Sequence, residues 1–308
     1  MIRNPTVFIL GAGASAEYGF PLGHGLVKMI IAGTLPEPRG DLRAELLRAD
    51  FSEAELNEFS IKLRDSDPLS IDTFLEGNTY DRFQEIGKAA IAITILRAEQ
   101  SSRDGEKFMG RNVPDDHWLR YVWNLVRSGC TSPDMFAENK LSVVTFNYDR
   151  TVEWYFPIVL QNAFNLRPDE ARALFAETIR VVHLHGQIAE RAFGQYAERL
   201  AGVEVKRVAA GIRVVRDPAS ERPFAEAWDL FKQARLLCIL GFGYHPVNIE
   251  RLRVKDHLMG GIPIAASTFD MGQAEVRVAT GRMERDLYTM NRNDLKAERF
   301  LREAAQLA

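Results

Sequence analysis

Cysteine is scarce in this chain: only Cys130 and Cys238 occur among its 308 residues. Two thiols so far apart in sequence exclude a disulfide framework and a four-cysteine zinc site. No run of about eighteen or more apolar residues predicts a membrane span. Glycine and serine interrupt the first apolar run, so residues 1–30 do not have the pattern of a secretory signal. These absences favour a protein of the reducing cytoplasm with no membrane partner.

The chain also lacks an excess of either charge. Lys and Arg number 39 and Asp and Glu number 42, which gives a formal net charge of -3. A mildly acidic protein does not have the general affinity for nucleic acid that a strongly basic one has. Hydrophobic residues make up 46% of the chain and charged residues 26%, as in globular proteins with a sizeable core. No direct binding of nucleic acid is therefore expected.

What the chain does have is a glycine-rich turn close to its start. An apolar, strand-like run over residues 6–10 leads into the sequence GAGAS at 11–15, and a helical pattern follows over residues 15–32. A strand that ends in such a turn presents backbone N–H groups to a phosphate. Glycine-rich turns also close ordinary connections between strands and helices. Both interpretations stay open at this point.

Further strand-like runs occur at residues 141–145, 180–184, 235–240 and 262–267, with enough sequence between them for helical crossovers. Their continuous apolar character is typical of buried parallel strands. Helix formers dominate the sequence before them. The predicted fold is α/β, a Rossmann-like doubly wound parallel sheet with a large helical insertion. Residues 1–34 and 139–308 are assigned to the sheet domain, and residues 35–138 to a helical insertion that covers the pocket.

Every predicted strand is followed by polar or glycine residues. These segments are GAGAS at 11–15, FNYD at 146–149, His-Gly at 185–186, GFG at 241–243 and Thr-Phe-Asp at 268–270. Ligands of doubly wound sheets bind at the carboxyl ends of the strands. The five segments therefore predict one common pocket.

The order of these motifs, together with SIDTFL at 70–75, resembles the sirtuin-like NAD-consuming proteins of bacteria over nearly the whole chain. Members of that superfamily bind NAD in a Rossmann-type sheet and cleave the bond between nicotinamide and ribose. The chain lacks the zinc module of the lysine-deacylating sirtuins, and GFPLG at 19–23 stands where they have Gly-Ile-Pro-Asp-Phe-Arg. The resemblance therefore points to the divergent branch that includes antiphage NAD hydrolases, and it disfavours lysine deacylation.

The resemblance also implies roles for individual residues. Cleavage of the nicotinamide-ribose bond develops positive charge on the sugar and needs a positioned nucleophile. His185 is expected to act as a base on water or a ribose hydroxyl. Asn147 is expected to orient the water and the ribose. Asp149 either hydrogen-bonds the substrate or caps the helix that begins there. His183 is assigned a structural role.

NAD is expected as the substrate, and no metal cofactor is expected. The glycine turn is predicted to hold the pyrophosphate, the GFG segment the other side of the dinucleotide, and Ser267 the adenosine. The full predicted binding set is Gly11, Ala12, Gly13, Ser15, Thr145, Gly186, Gly241, Gly243 and Ser267.

The leading hypothesis is thus an NAD glycohydrolase that yields nicotinamide and ADP-ribose and serves as a regulated bacterial defence effector. Regulation is expected through a homo-oligomer, a regulatory protein or a nucleotide trigger. A first alternative is a subunit that senses NAD or an ADP-ribose derivative without cleaving it. A dehydrogenase is a second alternative, because residues 11–16 also fit Gly-x-Gly-x-x-Ala. It would need a second strand with an acidic residue where residues 31–36 predict the end of a helix. A protein deacylase is the least favoured.

Overall fold

A five-stranded sheet, parallel at every pairing, forms the centre of the protein. The computed structural model describes residues 1–36, 41–107, 109, 112–114, 117–188, 202–213 and 221–304. Within these ranges the strand order is β3-β2-β1-β4-β5. The strands are β1 (Thr6–Leu10), β2 (Leu141–Thr145), β3 (Arg180–His183), β4 (Leu236–Leu240) and β5 (Ile264–Ala266).

The register of the sheet aligns the ends of neighbouring strands. Leu10 at the end of β1 pairs with Thr145 on one side and with Leu240 on the other. Thr145 in turn pairs with His183 at the end of β3. The chain segments that follow these four strands therefore leave the sheet side by side, at the edge where ligands of doubly wound sheets bind.

Sixteen helices belong to the described residues, eight of them between β1 and β2. These eight are α1 (Gly13–Ala16), α2 (Gly23–Thr34), α3 (Asp41–Arg48), α4 (Glu53–Asp65), α5 (Ile71–Gly77), α6 (Asp81–Asp104), α7 (Trp118–Arg127) and α8 (Pro133–Phe136). The other eight are α9 (Thr151–Phe164), α10 (Pro168–Thr178), α11 (Gly202–Ala209), α12 (Glu221–Gln233), α13 (Pro246–Leu252), α14 (Val254–His257), α15 (Gln273–Met283) and α16 (Ala297–Ala304). None of the described helices is both long enough and apolar enough to cross a lipid bilayer.

Helices cover both faces of the sheet. Side chains alternate along β1, so that Phe8 and Leu10 join one apolar cluster while Val7 and Ile9 join another. The first cluster extends through α2, α4, α6, α7 and α9, and the second through α12, α13 and α15. The predicted α/β class with a parallel sheet between helical layers is confirmed. The first cluster runs without interruption from β1 into α6, so the helices between β1 and β2 share a core with the sheet.

The region after the glycine turn differs from the single helix expected over residues 15–32. Helix α1 ends at Ala16, and α2 begins only at Gly23. Gly19 lies between them at a φ of +91°, which a helix cannot contain, and Pro21 follows. By contrast α5 begins as the sequence predicts, because the Ser70 hydroxyl accepts a hydrogen bond from the Thr73 N–H at 3.2 Å.

Candidate functional site

The predicted site residues converge at the carboxyl edge of the sheet. Hydrogen bonds continue the sheet pattern one residue past the strands. The N–H of Gly11 donates to Leu240 at 3.0 Å, that of Phe146 to Leu10 at 3.0 Å and that of Leu184 to Thr145 at 2.8 Å. Asn147 and His185 each follow directly. The two predicted catalytic side chains therefore stand on neighbouring segments at one edge.

Asn147 is buried, and its contacts fix the orientation of its side chain. The amide Nδ2 donates to the Gly11 carbonyl at 3.0 Å and to the Ser15 hydroxyl at 3.1 Å. The backbone N–H of Asn147 donates to the Thr145 hydroxyl at 3.0 Å. The Oδ1 atom accepts no hydrogen bond from the part of the chain that the structure describes. The carbonyl oxygen of the amide is thus the atom left to accept a hydrogen bond from water or a hydroxyl group.

Asp149 makes the contacts expected of a residue at a helix start. Its Oδ1 accepts from the Thr151 N–H at 3.1 Å and also from the Thr151 hydroxyl. Thr151 is the first residue of α9. Burial raises the pKa of Asp149, although the hydrogen bonds from Thr151 and Ser15 oppose that shift. The carboxyl group therefore joins the glycine turn, through Ser15, to the beginning of α9.

The His185 ring is buried between the two aromatic residues that flank Asn147. Its centroid lies 5.2 Å from that of Phe146 and 6.3 Å from that of Tyr148. The Nε2 atom is buried, and none of the residues that the structure describes forms a hydrogen bond with it. Burial lowers the pKa of His185; Asp72 opposes this shift and Arg251 reinforces it. The imidazole is therefore neutral at pH 7 and able to accept a proton.

Asp72 and Tyr148 complete the surroundings of His185. Asp72 is the second residue of α5, and its Oδ1 lies 3.7 Å from the Nδ1 of His185. The Tyr148 hydroxyl donates a hydrogen bond to the same oxygen. Sequence reasoning gave Asp72 no role, although the SIDTFL motif contains it. No spacing in the sequence links α5 to the segment after β3.

The glycine turn and the segment after β4 pack backbone against backbone. The N–H of Gly13 donates to the Gly241 carbonyl at 2.9 Å. A Cβ on Gly13 would lie 2.7 Å from the Gly241 Cα, and one on Gly11 would lie 2.7 Å from the Cα of Phe242. Gly241 has a φ of +58°, and its N–H donates to the Ser267 hydroxyl at 3.0 Å. Contact between the two loops therefore requires these three glycines whether or not a phosphate binds, and Ser267 supports the second loop.

The remaining members of the predicted binding set lie around this pair of loops. Ala12 is half-buried at the first turn, and Gly243 is exposed with no atom within 4 Å of where its Cβ would be. Gly186 has a φ of +69° and bridges to Ile212, while the N–H of Arg213 donates to the His185 carbonyl at 2.9 Å. The described part of the 202–213 segment thus holds the backbone of the His-Gly turn.

Two further contacts hold the glycine turn and the Asn147 backbone in place. The Trp118 indole in α7 donates to the Ala14 carbonyl of α1 at 2.8 Å. The Nδ1 of His183 lies 2.9 Å from the Asn147 carbonyl, and its Nε2 lies 2.6 Å from a Glu153 oxygen. Burial alone would lower the pKa of His183, but Glu153, the hydrogen bond to the Asn147 carbonyl and Asp149 together raise it. A protonated His183 donates to both oxygens and holds Asn147 in place, in agreement with the structural role expected for it.

A buried ion pair joins the helices between β1 and β2 to the segment that contains Asn147. Arg150 Nη2 lies 2.8 Å from Glu99 Oε2, and the Arg150 N–H donates to Glu99 Oε1 at 3.0 Å. Both side chains are less than a tenth exposed. This pair links the C-terminal part of α6 to the start of α9, and sequence reasoning did not identify it.

The fold and the site together define a Rossmann-like α/β protein with an amide and an imidazole at the carboxyl edge of its sheet. A scan of protein-family models and a search of curated proteins both find no match to this chain. Within the described ranges, no three His, Cys, Asp or Glu side chains come together as metal ligands. The function is inferred below from the contacts of the site.

Proposed function

We propose that this chain is an NAD glycohydrolase, which cleaves the bond between nicotinamide and ribose and releases nicotinamide and ADP-ribose. One observation carries the proposal: a buried imidazole and a fixed carboxamide follow neighbouring strands at the carboxyl edge of a parallel sheet, and the described residues provide no hydrogen-bond partner for His185 Nε2 or Asn147 Oδ1. The rings of Phe146 and Tyr148, on either side of Asn147, both contact the His185 ring, which supports a shared reaction space.

The chemistry of NAD suits this pair of side chains. When the bond from the sugar carbon to the pyridinium nitrogen breaks, its electron pair neutralises that nitrogen, and nicotinamide leaves without needing a proton. The sugar carbon becomes oxocarbenium-like and takes the oxygen of water. Asn147 Oδ1 accepts a hydrogen bond from that water and orients it. His185 Nε2 accepts the proton that the water loses. Asp149 is given no part in the reaction itself, because its Oδ1 is committed to Thr151 at the start of α9 and a hydrogen bond from Ser15 ties the carboxyl group to the glycine turn.

The proposed dinucleotide lies across the loops that follow β1 and β4. In this region Gly243 is exposed, Ala12, Gly13 and Gly241 are half-buried, and Gly11 is buried. Gly11, Gly13 and Gly241 contribute by keeping the two loops in contact. Ser267 contributes indirectly, through its hydrogen bond to Gly241.

The test is release of nicotinamide from NAD by the purified full chain, compared with His185→Ala and Asn147→Ala. Each substitution is expected to lower kcat by roughly 10²–10⁴-fold, since one removes the base and the other a positioning group. Matched controls are His24→Ala and Asn162→Ala, which change exposed residues on α2 and α9 and are expected to retain activity. Thermal unfolding of every variant establishes that it is folded.

Cleavage of NAD without control would kill the cell that makes the protein, so the proposal includes regulation of a defence effector by assembly of copies, a protein or a nucleotide. The assay is therefore repeated over a range of protein concentrations and with candidate activating nucleotides. Equal release by the native chain and both site variants would contradict the proposal. Binding of intact NAD without cleavage in every condition would favour a sensor instead.

A further inference from the structure

Helix α5 places the Asp72 carboxylate near the Nδ1 atom of the His185 ring. The helix is held firmly, because Ser70 caps it and the side chains of Ile71 and Leu75 are buried in the core. Asp72 lies in its first turn and is about a quarter exposed. A rigid short helix fixes where this carboxylate stands relative to the imidazole.

We propose that Asp72 is a positioning residue for His185: it keeps the ring proton on Nδ1, so that Nε2 holds the lone pair that accepts a proton. The effect on catalysis rests on the NAD glycohydrolase activity proposed above. The position of the ring proton does not depend on that activity and is measured separately.

The groups around His185 favour this assignment. Among the described residues, the charged and titratable groups that face the ring are Asp72 from α5, Tyr148 after β2 and Arg251 from α13. Asp72 is the one anionic acceptor among these groups, since the Tyr148 hydroxyl donates its proton to Asp72 and a guanidinium such as that of Arg251 carries only donors. Burial and the nearby Asp72 both raise the pKa of Tyr148, so it remains a donor.

The distance between the two groups is longer than a hydrogen bond. Asp72 Oδ1 and His185 Nδ1 are 3.7 Å apart, whereas the Tyr148 hydroxyl lies within hydrogen-bond distance of the same Asp72 oxygen. Hydrogen bonds between catalytic groups are often long in the free enzyme and shorten when substrate binds. At 3.7 Å the carboxylate still biases the ring electrostatically, because both groups are largely removed from water.

Control of the ring proton has a chemical consequence. A neutral imidazole carries one proton, and the nitrogen without it is the acceptor. If the proton were on Nε2, that nitrogen would have no lone pair and could not act as a base. Nε2 is the buried ring nitrogen for which the described residues provide no hydrogen-bond partner. After Nε2 accepts a proton, the Asp72 carboxylate also stabilises the imidazolium that forms.

The experiment measures the tautomer of His185 directly. Native chain labelled with ¹⁵N-histidine contains six imidazoles, and His185→Gln assigns the signal of interest. Two-bond ¹H–¹⁵N spectra then show which ring nitrogen carries the proton. The expected result is Nδ1–H in the native chain and a shift toward Nε2–H in Asp72→Asn. The Tyr148→Phe variant keeps the aromatic ring but removes the hydroxyl that holds the Asp72 carboxylate in place. It is expected to give a smaller shift toward Nε2–H.

Nicotinamide release provides the second readout. Asp72→Asn is expected to lower kcat by roughly 10²–10⁴-fold with little change in KM, and Asp72→Glu is expected to recover part of the loss. The matched control is Asp67→Asn, an exposed position at a φ of 41° that asparagine tolerates, and it is expected to leave both readouts unchanged.

The two proposals fail in different ways. An Nε2–H tautomer in the native chain, or a tautomer that neither Asp72→Asn nor Tyr148→Phe shifts, overturns the role of Asp72 even if the chain cleaves NAD. A tautomer that shifts as expected in a chain that never releases nicotinamide supports the role of Asp72 and contradicts the proposed reaction.

Discussion

Replacement of Gly241 by alanine probes the contact between the two glycine loops. Gly241 has a φ of +58°, which costs a residue with a Cβ about 1–2 kcal/mol. The new Cβ would lie 2.6 Å from the Gly13 Cα and closer still to the Gly13 carbonyl carbon and the Ala14 nitrogen. Backbone atoms cannot rotate away, so the loops must separate. Separation weakens the hydrogen bonds of Gly241 to Gly13 and Ser267, each worth about 1 kcal/mol.

The expected loss in the free energy of unfolding is thus about 3–4 kcal/mol. Unfolding of a 308-residue chain changes entropy by roughly 0.65 kcal/mol per degree. The Tm is therefore expected to fall by about 5–6 °C, measured by circular dichroism and supported by the urea midpoint.

The matched control is Gly243→Ala, two residues along the same loop. No atom lies within 4 Å of its added Cβ, and its φ is not in the left-handed region. Its Tm is expected to stay the same or rise slightly, because alanine restricts the unfolded chain. The reasoning would be refuted by a Gly241→Ala protein as stable as the native one, or by an equal loss at both positions.

Two further predictions concern the buried charges. Glu99→Gln removes the carboxylate that pairs with Arg150 and leaves a buried positive charge. Its free energy of unfolding, measured in urea, is expected to be lower by about 3–5 kcal/mol. Replacement of both residues by leucine or methionine is expected to cost less, because no unpaired charge remains. A Glu99→Gln protein as stable as the variant with both residues replaced, or more stable, would contradict this. Burial opposes the charge on His183, yet interactions that include those with Glu153 raise its pKa above 6.5. The stabilisation that charged His183 gives the folded chain is therefore complete below pH 6.5, and it is lost as the pH rises through the folded pKa. The stability difference between the native chain and Glu153→Gln is therefore expected to shrink above pH 6.5, and a constant difference would exclude the pair as its source.

Patterns that act over a few residues predicted most of the fold. The strand at 141–145 has the predicted bounds, because a continuous apolar run depends on its own residues. The expected helix over 15–32 was wrong in its first half, because Gly19 at a φ of +91° separates α1 from α2.

The candidate site was predictable only in part. Asn147 and His185 follow strands, so the rule for parallel sheets placed them at one edge without knowledge of distant contacts. Asp72 and Glu99 reach the site from helices far away in sequence, and their partners depend on how those helices pack. The glycines gave an ambiguous signal for a physical reason: the same absence of a side chain that admits a phosphate also admits a neighbouring backbone.

The hydrogen bond from Trp118 to Ala14 gives the glycine turn an optical reporter of its own. The indole is 2% exposed and also lies 6.3 Å from the Phe8 ring in the central strand. The emission of an indole depends on what its N–H donates to and on whether water reaches the ring. Displacement of α1 would change both at Trp118, so fluorescence can follow the turn in a chain whose other three tryptophans, Trp123, Trp154 and Trp228, are replaced by phenylalanine.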